Sequence, residues 1–495
     1  MSSRSLYRHL TSTTTQTFHC SSRPCKLPVH LPSTPHLSHR CNITTAALSD
    51  QQIASLRANS TRLSSLIHST ATHGAANRYG SHPDETGLTR LALSPADRLA
   101  RDWFVAETKS LGCEVTVDAV GNIFAVRPGI ASKENGGKGE RRPATFAGSH
   151  LDSQPTGGRY DGVLGVCAGV EILRVLEEEG IETRGDVGVV NWTNEEGARW
   201  GVSMMGSGVW SGANDLDEVW ALRDQLDGAG NEGRGRTVKE ELEAIGYLGS
   251  HPVGGEDRFH MAAHFELHIE QARRLEELRK NVGVVKGVQG YTWLDVVVKG
   301  KQSHAGTTRF EYRADALFAT SRMISTVRAI AVDMNALATV GTLELRGGAS
   351  INTVPGEVHF TIDLRHPHAG KLEQLTKRVK RMLVEFADKY STKVQTDTLF
   401  HNPPTIFDKQ AMACIAESAQ AVMGTKTVPE LTSGAGHDSV HTSKHCPTAM
   451  IFVPCKDGLS HHPEEFATEE ASADGASVLL QAVVRWDRQR GDLGD

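Results

Sequence analysis

The stretch 144–192 constrains the fold of this chain more than any other part of the sequence. It contains a short apolar segment at 144–148, an amphipathic helical pattern bounded by glycines over 162–180, and a second apolar segment at 186–192. A strand, a helix and a strand in that order predict two parallel strands joined by a crossover helix. We therefore expect an α/β fold with a mainly parallel, mixed sheet flanked by helices.

The segment 290–401 shows a different order of elements. Its patterns predict strand, helix, strand, strand, helix, strand, at 292–298, 314–332, 338–345, 357–364, 372–389 and 393–399. This βαββαβ order is typical of a ferredoxin-like domain. Because helix and strand patterns of the first kind resume afterwards, 290–401 is expected to be inserted between two parts of one catalytic domain, 50–289 and 402–495.

Bulk composition excludes several classes of protein. The net charge of -6 over 495 residues gives no basic surface for nucleic acid. No apolar run approaches the roughly 20 residues that a membrane-spanning helix needs. The eight cysteines form no Cys-x-x-Cys pair, which indicates a reducing compartment and not a disulfide scaffold.

Residues 1–49 differ from the rest of the chain. They contain no Asp or Glu, are rich in Ser and Thr, and carry scattered Arg and Lys. This composition is typical of a mitochondrial transit peptide, and a disordered extension without a targeting role fits it equally well. Either interpretation places 1–49 outside the fold, and the predicted location is cytoplasmic or mitochondrial.

Acidic and imidazole side chains follow several of the predicted strands. In parallel sheets ligands bind beyond the carboxyl ends of the strands, and a two-metal hydrolase needs about three ligands per ion with one shared carboxylate. The adjacent pair Glu195 and Glu196 would repel in a buried loop unless a cation neutralised it, whereas a solvated acidic turn remains the simpler alternative. The candidate ligands are His150, Asp161, Glu195, Glu196, His268 and His461.

Eight ordered motifs make the chain similar to a known family. They are Gly-Ser-His-Leu-Asp-Ser-Gln-Pro at 148–155 with Tyr-Asp-Gly at 160–162, Thr-Asn-Glu-Glu-Gly-Ala-Arg at 193–199, His-Phe-Glu-Leu-His-Ile-Glu-Gln at 264–271, Ser-His-Ala-Gly-Thr-Thr at 303–308, Asn-Thr-Val-Pro-Gly-Glu at 352–357, Asp-Leu-Arg-His-Pro at 363–367, Ser-Gly-Ala-Gly-His-Asp-Ser at 433–439 and Gly-Leu-Ser-His at 458–461. The chain resembles the dinuclear amidohydrolases related to zinc aminopeptidases, in particular yeast-type β-alanine synthases and N-carbamoyl-L-amino acid hydrolases. This resemblance implies a zinc-exopeptidase-like fold with a ferredoxin-like insertion.

The resemblance also implies a role for each candidate ligand. His150 and His268 would hold one divalent ion, most simply Zn²⁺. Glu196 and His461 would hold a second ion, and Asp161 would bridge the two. Glu195 would be the general base, and the side chain of Asp152 would orient the imidazole of His150.

Further residues are implied to bind the substrate. His304 resembles a histidine that stabilises the tetrahedral oxyanion, and Asn352 with Arg365 resembles a pair that grips the substrate carboxylate. Gln271 and His437 are assigned to the rest of the pocket. The family's inserted domain pairs with a second copy, so a homodimer is expected in which these residues act in their own subunit or across the interface.

The first functional hypothesis is hydrolysis of N-carbamoyl-β-alanine to β-alanine, CO₂ and NH₃, a step of pyrimidine breakdown. Hydrolysis of N-carbamoyl-L-α-amino acids or of allantoate is the alternative, because one methylene provides only about 1–3 kcal/mol of discrimination. The runs Ser-Gln-Pro-Thr-Gly-Gly at 153–158 and Asn-Glu-Glu-Gly-Ala-Arg at 194–199 argue against a peptidase or an aminoacylase. A metal-free binding protein of the same fold is the remaining hypothesis from another class.

Overall fold

The computed structural model describes residues 43–134, 143–226, 235–348 and 350–490. The strands before the insertion are β1 Ile43–Thr44, β2 Ala75–Arg78, β3 Thr86–Leu88, β4 Glu114–Val117, β5 Ile123–Arg127, β6 Ala144–His150, β7 Ile181–Glu182, β8 Val187–Trp192, β9 Met261–Ile269 and β10 Gly283–Val288. The α-helices of this part are α1 Asp50–Ser55, α2 Ser60–Ala71, α3 Pro95–Ser110, α4 Ile130–Glu134, α5 Val163–Glu178, α6 Met205–Trp210, α7 Leu216–Ala221, α8 Val238–Ile245 and α9 Arg274–Leu278.

The insertion and the last part of the chain contain the remaining elements. Those of the insertion are β11 Gly290–Lys299, β12 Ser303–His304, α10 Ala316–Asp333, β13 Leu337–Arg346, β14 Thr353–Val354, β15 Glu357–His366, α11 Ala369–Lys389 and β16 Lys393–Asn402. The last part contains β17 Thr405–Ile406, α12 Lys409–Met423, β18 Glu430–Ser433, α13 Ser439–Thr442, β19 Thr448–Val453 and α14 Glu469–Arg490.

The helix α3, which directly precedes strand β4 of the main sheet, illustrates how local sequence sets the boundaries of an element. The side chain of Ser94 accepts a hydrogen bond from the backbone N–H of Asp97, and Pro95 occupies the first turn, where its missing N–H costs nothing. The helix α3 ends at Ser110, just before Gly112, which has a φ of +74°. A residue in the left-handed region favours glycine, so the chain leaves the helix here.

The main sheet has nine strands, in the order β17, β10, β19, β9, β6, β8, β5, β4, with β18 pairing to β10. Its central strands β8, β6, β9 and β19 are parallel, whereas β5 runs antiparallel to β8 and β4 runs antiparallel to β5. The crossover helix α5 packs on the sheet through a long row of fully buried side chains that includes Val166, Val170 and Leu173. The predicted α/β class with a mainly parallel, mixed sheet is confirmed.

The parallel strands bring the functional motifs to one edge of this sheet. Strand β6 ends at His150, strand β9 ends one residue after His268, and β8 ends three residues before Glu195. All three strands are buried along nearly their whole length, so their carboxyl ends form a rigid base. The loops that leave these ends carry the polar side chains described below.

The inserted segment forms a separate four-stranded antiparallel sheet. Its order is β13, β15, β11, β16, and α10 and α11 cover one face, where they pack on Leu294, Phe360 and Ile362. The predicted βαββαβ order is confirmed, with most strands extending two residues or so beyond the predicted bounds. A short ladder between β12 and β14, which pairs His304 with Thr353, was not predicted because strands this short leave no periodic pattern.

The structure corrects the predicted boundary at residue 49. Residues 43–49 belong to the fold: Ile43 pairs in parallel with Ile181, Thr45 is buried, and its hydroxyl donates to the carboxylate of Asp487 at 2.5 Å. Leu48 joins the main core. Composition could not reveal this docking, because the contacts that bury these residues come from distant parts of the chain. The rest of the proposed transit peptide or extension, 1–42, lies outside the described residues.

Within the described parts of the chain, no helix combines the length and the apolar character that crossing a bilayer requires.

Candidate metal centre

The six candidate residues lie together at the carboxyl edge of the main sheet. Asp161 is the centre of the arrangement, since each of its carboxylate oxygens faces a different set of imidazoles. Its Oδ1 lies 3.6 Å from Nε2 of His150 and 3.1 Å from Nε2 of His268. Its Oδ2 lies 3.6 Å from Nε2 of His461, and that nitrogen is 3.2 Å from Oε2 of Glu196. Asp161 is therefore shared by two groups of nitrogen and oxygen donors.

Asp161 is held by three hydrogen bonds of its own and by a fourth to the backbone of Tyr160 before it. The carboxylate of Glu465 accepts from the backbone N–H groups of Tyr160 and Asp161, both at 2.9 Å. Gln271 Nε2 and the hydroxyl of Ser460 both donate to Oδ2 of Asp161 at 2.7 Å. Ser460 also donates to Glu465 at 3.1 Å, so one partly buried network orients the shared carboxylate.

The turn after β8 presents Glu195 and Glu196 side by side. Asn194 and Gly197 on either side of the pair have φ values of +54° and +69°, which reverse the chain over a short distance. The Oδ1 and Oδ2 of Asp152 accept from the backbone N–H groups of Glu195 and Glu196, each at 3.2 Å. Asp152 thus fixes the backbone of this turn.

This geometry corrects the role predicted for the Asp152 side chain. Its carboxylate lies 3.8 Å from Nδ1 of His150, which is beyond hydrogen-bond distance. The backbone carbonyl of Asp152 lies instead 3.0 Å from that nitrogen and orients the imidazole. In the same way, Nδ1 of His268 is 2.9 Å from the carbonyl of Ile269. Both histidines therefore direct Nε2 toward Asp161.

Glu195 is enclosed next to this group. It is buried, and its Oε2 lies 3.6 Å from Nε2 of His150. Burial, together with the nearby carboxylates of Asp438 and Glu196, raises the pKa of Glu195 well above its ordinary value. The hydrogen bond to Glu196 raises the pKa of His461 to about 9. A carboxylate with a raised pKa inside a cleft is suited to accept and release a proton.

The donor set fits two divalent cations. The ligand atoms of His150, Asp161 and His268 lie within 4.8 Å of one another, and so do those of Asp161, Glu196 and His461. The Nε2 of His150 is buried and has no hydrogen-bond partner among the described residues, although its other ring nitrogen is fully occupied. Imidazole nitrogens combined with carboxylate oxygens are the usual ligands of Zn²⁺.

A third group of potential ligands, Glu266, His268 and His437, lies in the same layer. Both oxygens of Glu266 already accept from hydroxyls, those of Ser149 at 2.7 Å and Ser439 at 2.6 Å. His437 Nε2 lies 2.9 Å from the hydroxyl of Ser433. Glu266 and His437 are consequently held by hydrogen bonds of their own and support the imidazole of His268.

The predicted pocket residues Gln271 and His437 both lie beside the donor groups. They line a cavity of about 150 Å³ together with Gln154, Asp161, Glu195, Glu196, Ser203, Met204, His268, Ala435, Gly436 and His461. The ring of His437 packs edge-on against that of His268, with 4.6 Å between centroids. The cavity gives a small polar substrate access to the shared carboxylate.

The predicted residues of the insertion do not line this cavity. Arg365 comes nearest, since its Nη1 donates to the carbonyl of Gly434 at 2.8 Å, next to the cavity residues 435–437. Its guanidinium is also paired with Asp363 at 2.8 Å. His304 and Asn352 are exposed, and their side chains bond within their own loops: Nδ1 of His304 accepts from the N–H of Gly306, and Asn352 accepts from the hydroxyl of Ser350.

The structure adds residues that pattern analysis missed. Glu465 and Ser460 support Asp161 as described, and Gln154 Nε2 donates to Oε2 of Glu196 at 2.9 Å. Gln154 and Ser460 lie inside the recognised motifs at 148–155 and 458–461, so their motif membership was the available signal. Glu465 lies just outside the last motif and carried no comparable signal.

Metal removal is predicted to lower the thermal stability of the fold. Buried carboxylates and imidazoles must neutralise one another when no cation is present, and a ligand that binds only the folded state stabilises it by about 2.7 kcal/mol at 100 times its Kd. We expect the unfolding temperature to fall by several degrees on dialysis against a chelator and to recover with Zn²⁺, as measured by differential scanning calorimetry. An unfolding temperature that does not respond to either treatment would contradict a metal site formed by the two donor groups around Asp161.

Comparison with known proteins agrees with this geometry. A model of peptidase family M20/M25/M40 matches residues 146–485. An N-carbamoyl-L-amino-acid amidohydrolase of Rhizobium meliloti is 36% identical over 400 residues, covering 80% of this chain and 91% of the relative. A ureidoglycolate hydrolase of Arabidopsis thaliana is 31% identical, covering 80% and 82% respectively.

A solved structure also matches closely. The crystal structure of an amidase of the hydantoinase/carbamoylase family from Burkholderia multivorans has 37% sequence identity and a TM-score of 0.77, covering 88% of this chain and 99% of that one. The match extends over most of both chains. The chain belongs to peptidase family M20/M25/M40 and, within it, is a hydrolase of the amidohydrolase kind.

Proposed function

We propose that this protein hydrolyses the carbamoyl C–N bond of an N-carbamoyl amino acid. The observation that carries the proposal is the sharing of Asp161 by two donor groups, with the buried carboxylate of Glu195 beside them at 3.6 Å from His150. Such an arrangement is suited to hydrolysis of an unreactive carbonyl, because two cations and one proton-carrying carboxylate would act on the same carbonyl group and water molecule. The relatives named as carbamoyl amino acid amidohydrolases support the same reaction class.

The chemistry follows from the electronics of a ureide. Donation from two nitrogens deactivates its carbonyl, so attack by water needs strong assistance. Two divalent cations, when bound by His150, His268, Asp161, Glu196 and His461, would polarise that carbonyl and lower the pKa of water toward about 7.

The remaining steps are assigned to residues of the chain. Glu195 would accept a proton from the attacking water and then donate it to the leaving nitrogen, so one carboxylate acts first as the base and then as the acid. His437 and Gln271 line the same cavity and would orient the ureido group. The narrow, largely buried site would keep bulk water from competing for these polar contacts.

The substrate carboxylate is assigned to the insertion. Arg365 has its guanidinium at the border of the cavity and stacks over the ring of Tyr291, with 5.5 Å to the centroid. A planar guanidinium held in this way offers two parallel donors to a carboxylate. Closure of the insertion over the cavity would change the contact of Arg365 with Gly434 and bring the guanidinium onto the substrate, while Asp363 on the same strand would move together with it.

We also propose a homodimer through the insertion, in which His304 and Asn352 contribute to the site of the second copy. Both side chains are exposed and lie outside the cavity of their own chain. Strand β13 lies at the edge of the inserted sheet and carries the exposed side chains of Leu343 and Leu345. An exposed apolar edge strand of this length favours pairing with another chain.

The substrate is proposed to be N-carbamoyl-β-alanine, as the sequence motifs suggest. N-carbamoyl-L-α-amino acids are the second candidate, favoured by the names of the relatives from Rhizobium meliloti, Paenarthrobacter aurescens and Geobacillus stearothermophilus at 33–36% identity. The deciding experiment compares kcat/KM for N-carbamoyl-β-alanine, an N-carbamoyl-L-amino acid, allantoate and ureidoglycolate on the zinc-loaded protein. Absence of ammonia release from all four would refute the proposed function.

Replacing Arg365 by Ala is predicted to raise KM for carboxylate-bearing substrates by about 10-fold or more, because a charge-assisted hydrogen bond contributes about 1.5–3 kcal/mol. Steady-state kinetics of ammonia release would measure it. Arg322→Ala, on an exposed position of α10, is the matched control and should leave KM unchanged. An unchanged KM in Arg365→Ala would remove this residue from the pocket.

A further inference from the structure

The last residue of β6 and two residues that follow it lie beside the shared carboxylate and the turn after β8. His150, Asp152 and Gln154 alternate along an extended segment, and each contacts either Asp161 or the Glu195–Glu196 pair. The first two have roles in the site described above. Gln154 has none so far, although it lines the cavity beside Glu196.

Gln154 holds Glu196 through one amide nitrogen. Its Nε2 donates to Oε2 of Glu196 at 2.9 Å and lies 3.1 Å from the backbone carbonyl of the same residue. That same Oε2 is the oxygen that faces Nε2 of His461 at 3.2 Å. The amide therefore contacts the same oxygen of Glu196 that faces the imidazole of His461.

The two contacts fix the rotamer of Glu196 relative to its own backbone. Asp152 already accepts from the N–H of Glu196, so the segment 152–154 binds this residue at its N–H, its carbonyl and its carboxylate. A carboxylate oxygen has two lone-pair directions and can accept from an amide while it ligates a cation. A glutamine is suited to this position because a carboxylate in its place would repel Glu196.

We propose that Gln154 is a positioning residue for the second cation, the one assigned to Glu196 and His461. This inference rests on the proposed metal-dependent function. Hydrogen-bonded neighbours of metal ligands typically change metal affinity by about 10- to 100-fold when they are removed. Among the described residues, the side chain of Gln154 hydrogen-bonds to Glu196 of the second donor group, whereas His150 and His268 are held by backbone carbonyls.

The test measures Zn²⁺ affinity directly, by equilibrium competition with a chromophoric chelator on the metal-depleted chain. Gln154→Met keeps the length of the side chain and removes the donor, and Gln154→Glu keeps the shape and reverses the interaction. We expect one of the two binding steps to weaken about 10-fold in Gln154→Met, with the other step unchanged. Thr156→Val, in the same loop and exposed, is the matched control.

A double-variant comparison identifies which step is affected. His461→Ala removes the second donor group, so Gln154→Met should have no further effect on the ion that this variant still binds. An equal loss of affinity with and without His461 would overturn the inference, since it would show general loosening of the loop. The unfolding temperature of metal-depleted Gln154→Met gives a separate readout and should lie close to that of the wild type.

The outcomes separate this inference from the proposed function. Wild-type protein that binds no Zn²⁺ would refute both. Wild-type protein that binds two ions, together with Gln154→Met and Gln154→Glu that bind both with wild-type affinity, would overturn only the role of Gln154.

Discussion

Replacing Glu195 by Gln is expected to reduce kcat by about 10²- to 10⁴-fold while the metal content stays at the wild-type level. The substitution keeps the size of the side chain and removes its capacity to accept a proton. The backbone hydrogen bond from Glu195 to Asp152 does not depend on the side chain, so the turn should be preserved. The loss should therefore appear in turnover and not in substrate binding.

Two measurements on the same preparation decide this prediction. Metal analysis should give equal Zn²⁺ content in Glu195→Gln and the wild type, and ammonia release should separate them. Glu385→Gln, an exposed acid on α11, is the matched control and should keep full activity. Near wild-type turnover in Glu195→Gln would show that another group carries the proton.

Replacing Asp161 by Asn is expected to have the largest effect on metal binding. Asn offers one uncharged oxygen where Asp161 directs Oδ1 to His150 and His268 and Oδ2 to His461. Loss of a neighbour that only supports a ligand already costs about 10- to 100-fold in affinity, so loss of the shared ligand itself should cost more than about 100-fold. The metal content should fall to one ion per chain or fewer, and turnover should disappear.

Elemental analysis after gel filtration in a buffer with limiting Zn²⁺ measures this loss. Asp257→Asn changes the same functional group on an exposed loop and should retain the wild-type content. Retention of two tightly bound ions by Asp161→Asn would contradict the shared-carboxylate arrangement. The outcome differs from that of Glu195→Gln, in which the ions stay and only turnover is lost.

Much of the fold could be predicted because its elements are long and periodic. The helix pattern over 162–180 appears as α5, Val163–Glu178, and the strand pattern over 186–192 appears as β8, Val187–Trp192. In a long element the hydrophobic pattern repeats along the whole helix or strand, so periodicity alone is enough to predict it. Short elements such as β12 and β14 depend on contacts with distant partners and show no such pattern in the sequence.

The site divides in the same way. Residues at the ends of strands were placed by topology, since the parallel strands bring them to one edge. Side-chain hydrogen bonds between distant segments determine the roles of Gln154, Ser460 and Glu465. The segments lie up to about 300 positions apart in the sequence, as for the bond from Ser460 to Asp161. The atom through which Asp152 orients His150 was predicted wrongly, because motif membership does not determine whether a residue acts through its carbonyl or its carboxylate.

The order of strands in the main sheet has a consequence for how the chain folds during synthesis. Strand β19 lies between β9 and β10, although it is the last of the sheet strands along the chain. Until residues 448–453 leave the ribosome, the nascent chain presents two unpaired inner strand edges, and His461 follows later still. Exposed inner edges favour aggregation. We therefore expect protein shortened before β19 to require chaperone protection and to accumulate in the insoluble fraction.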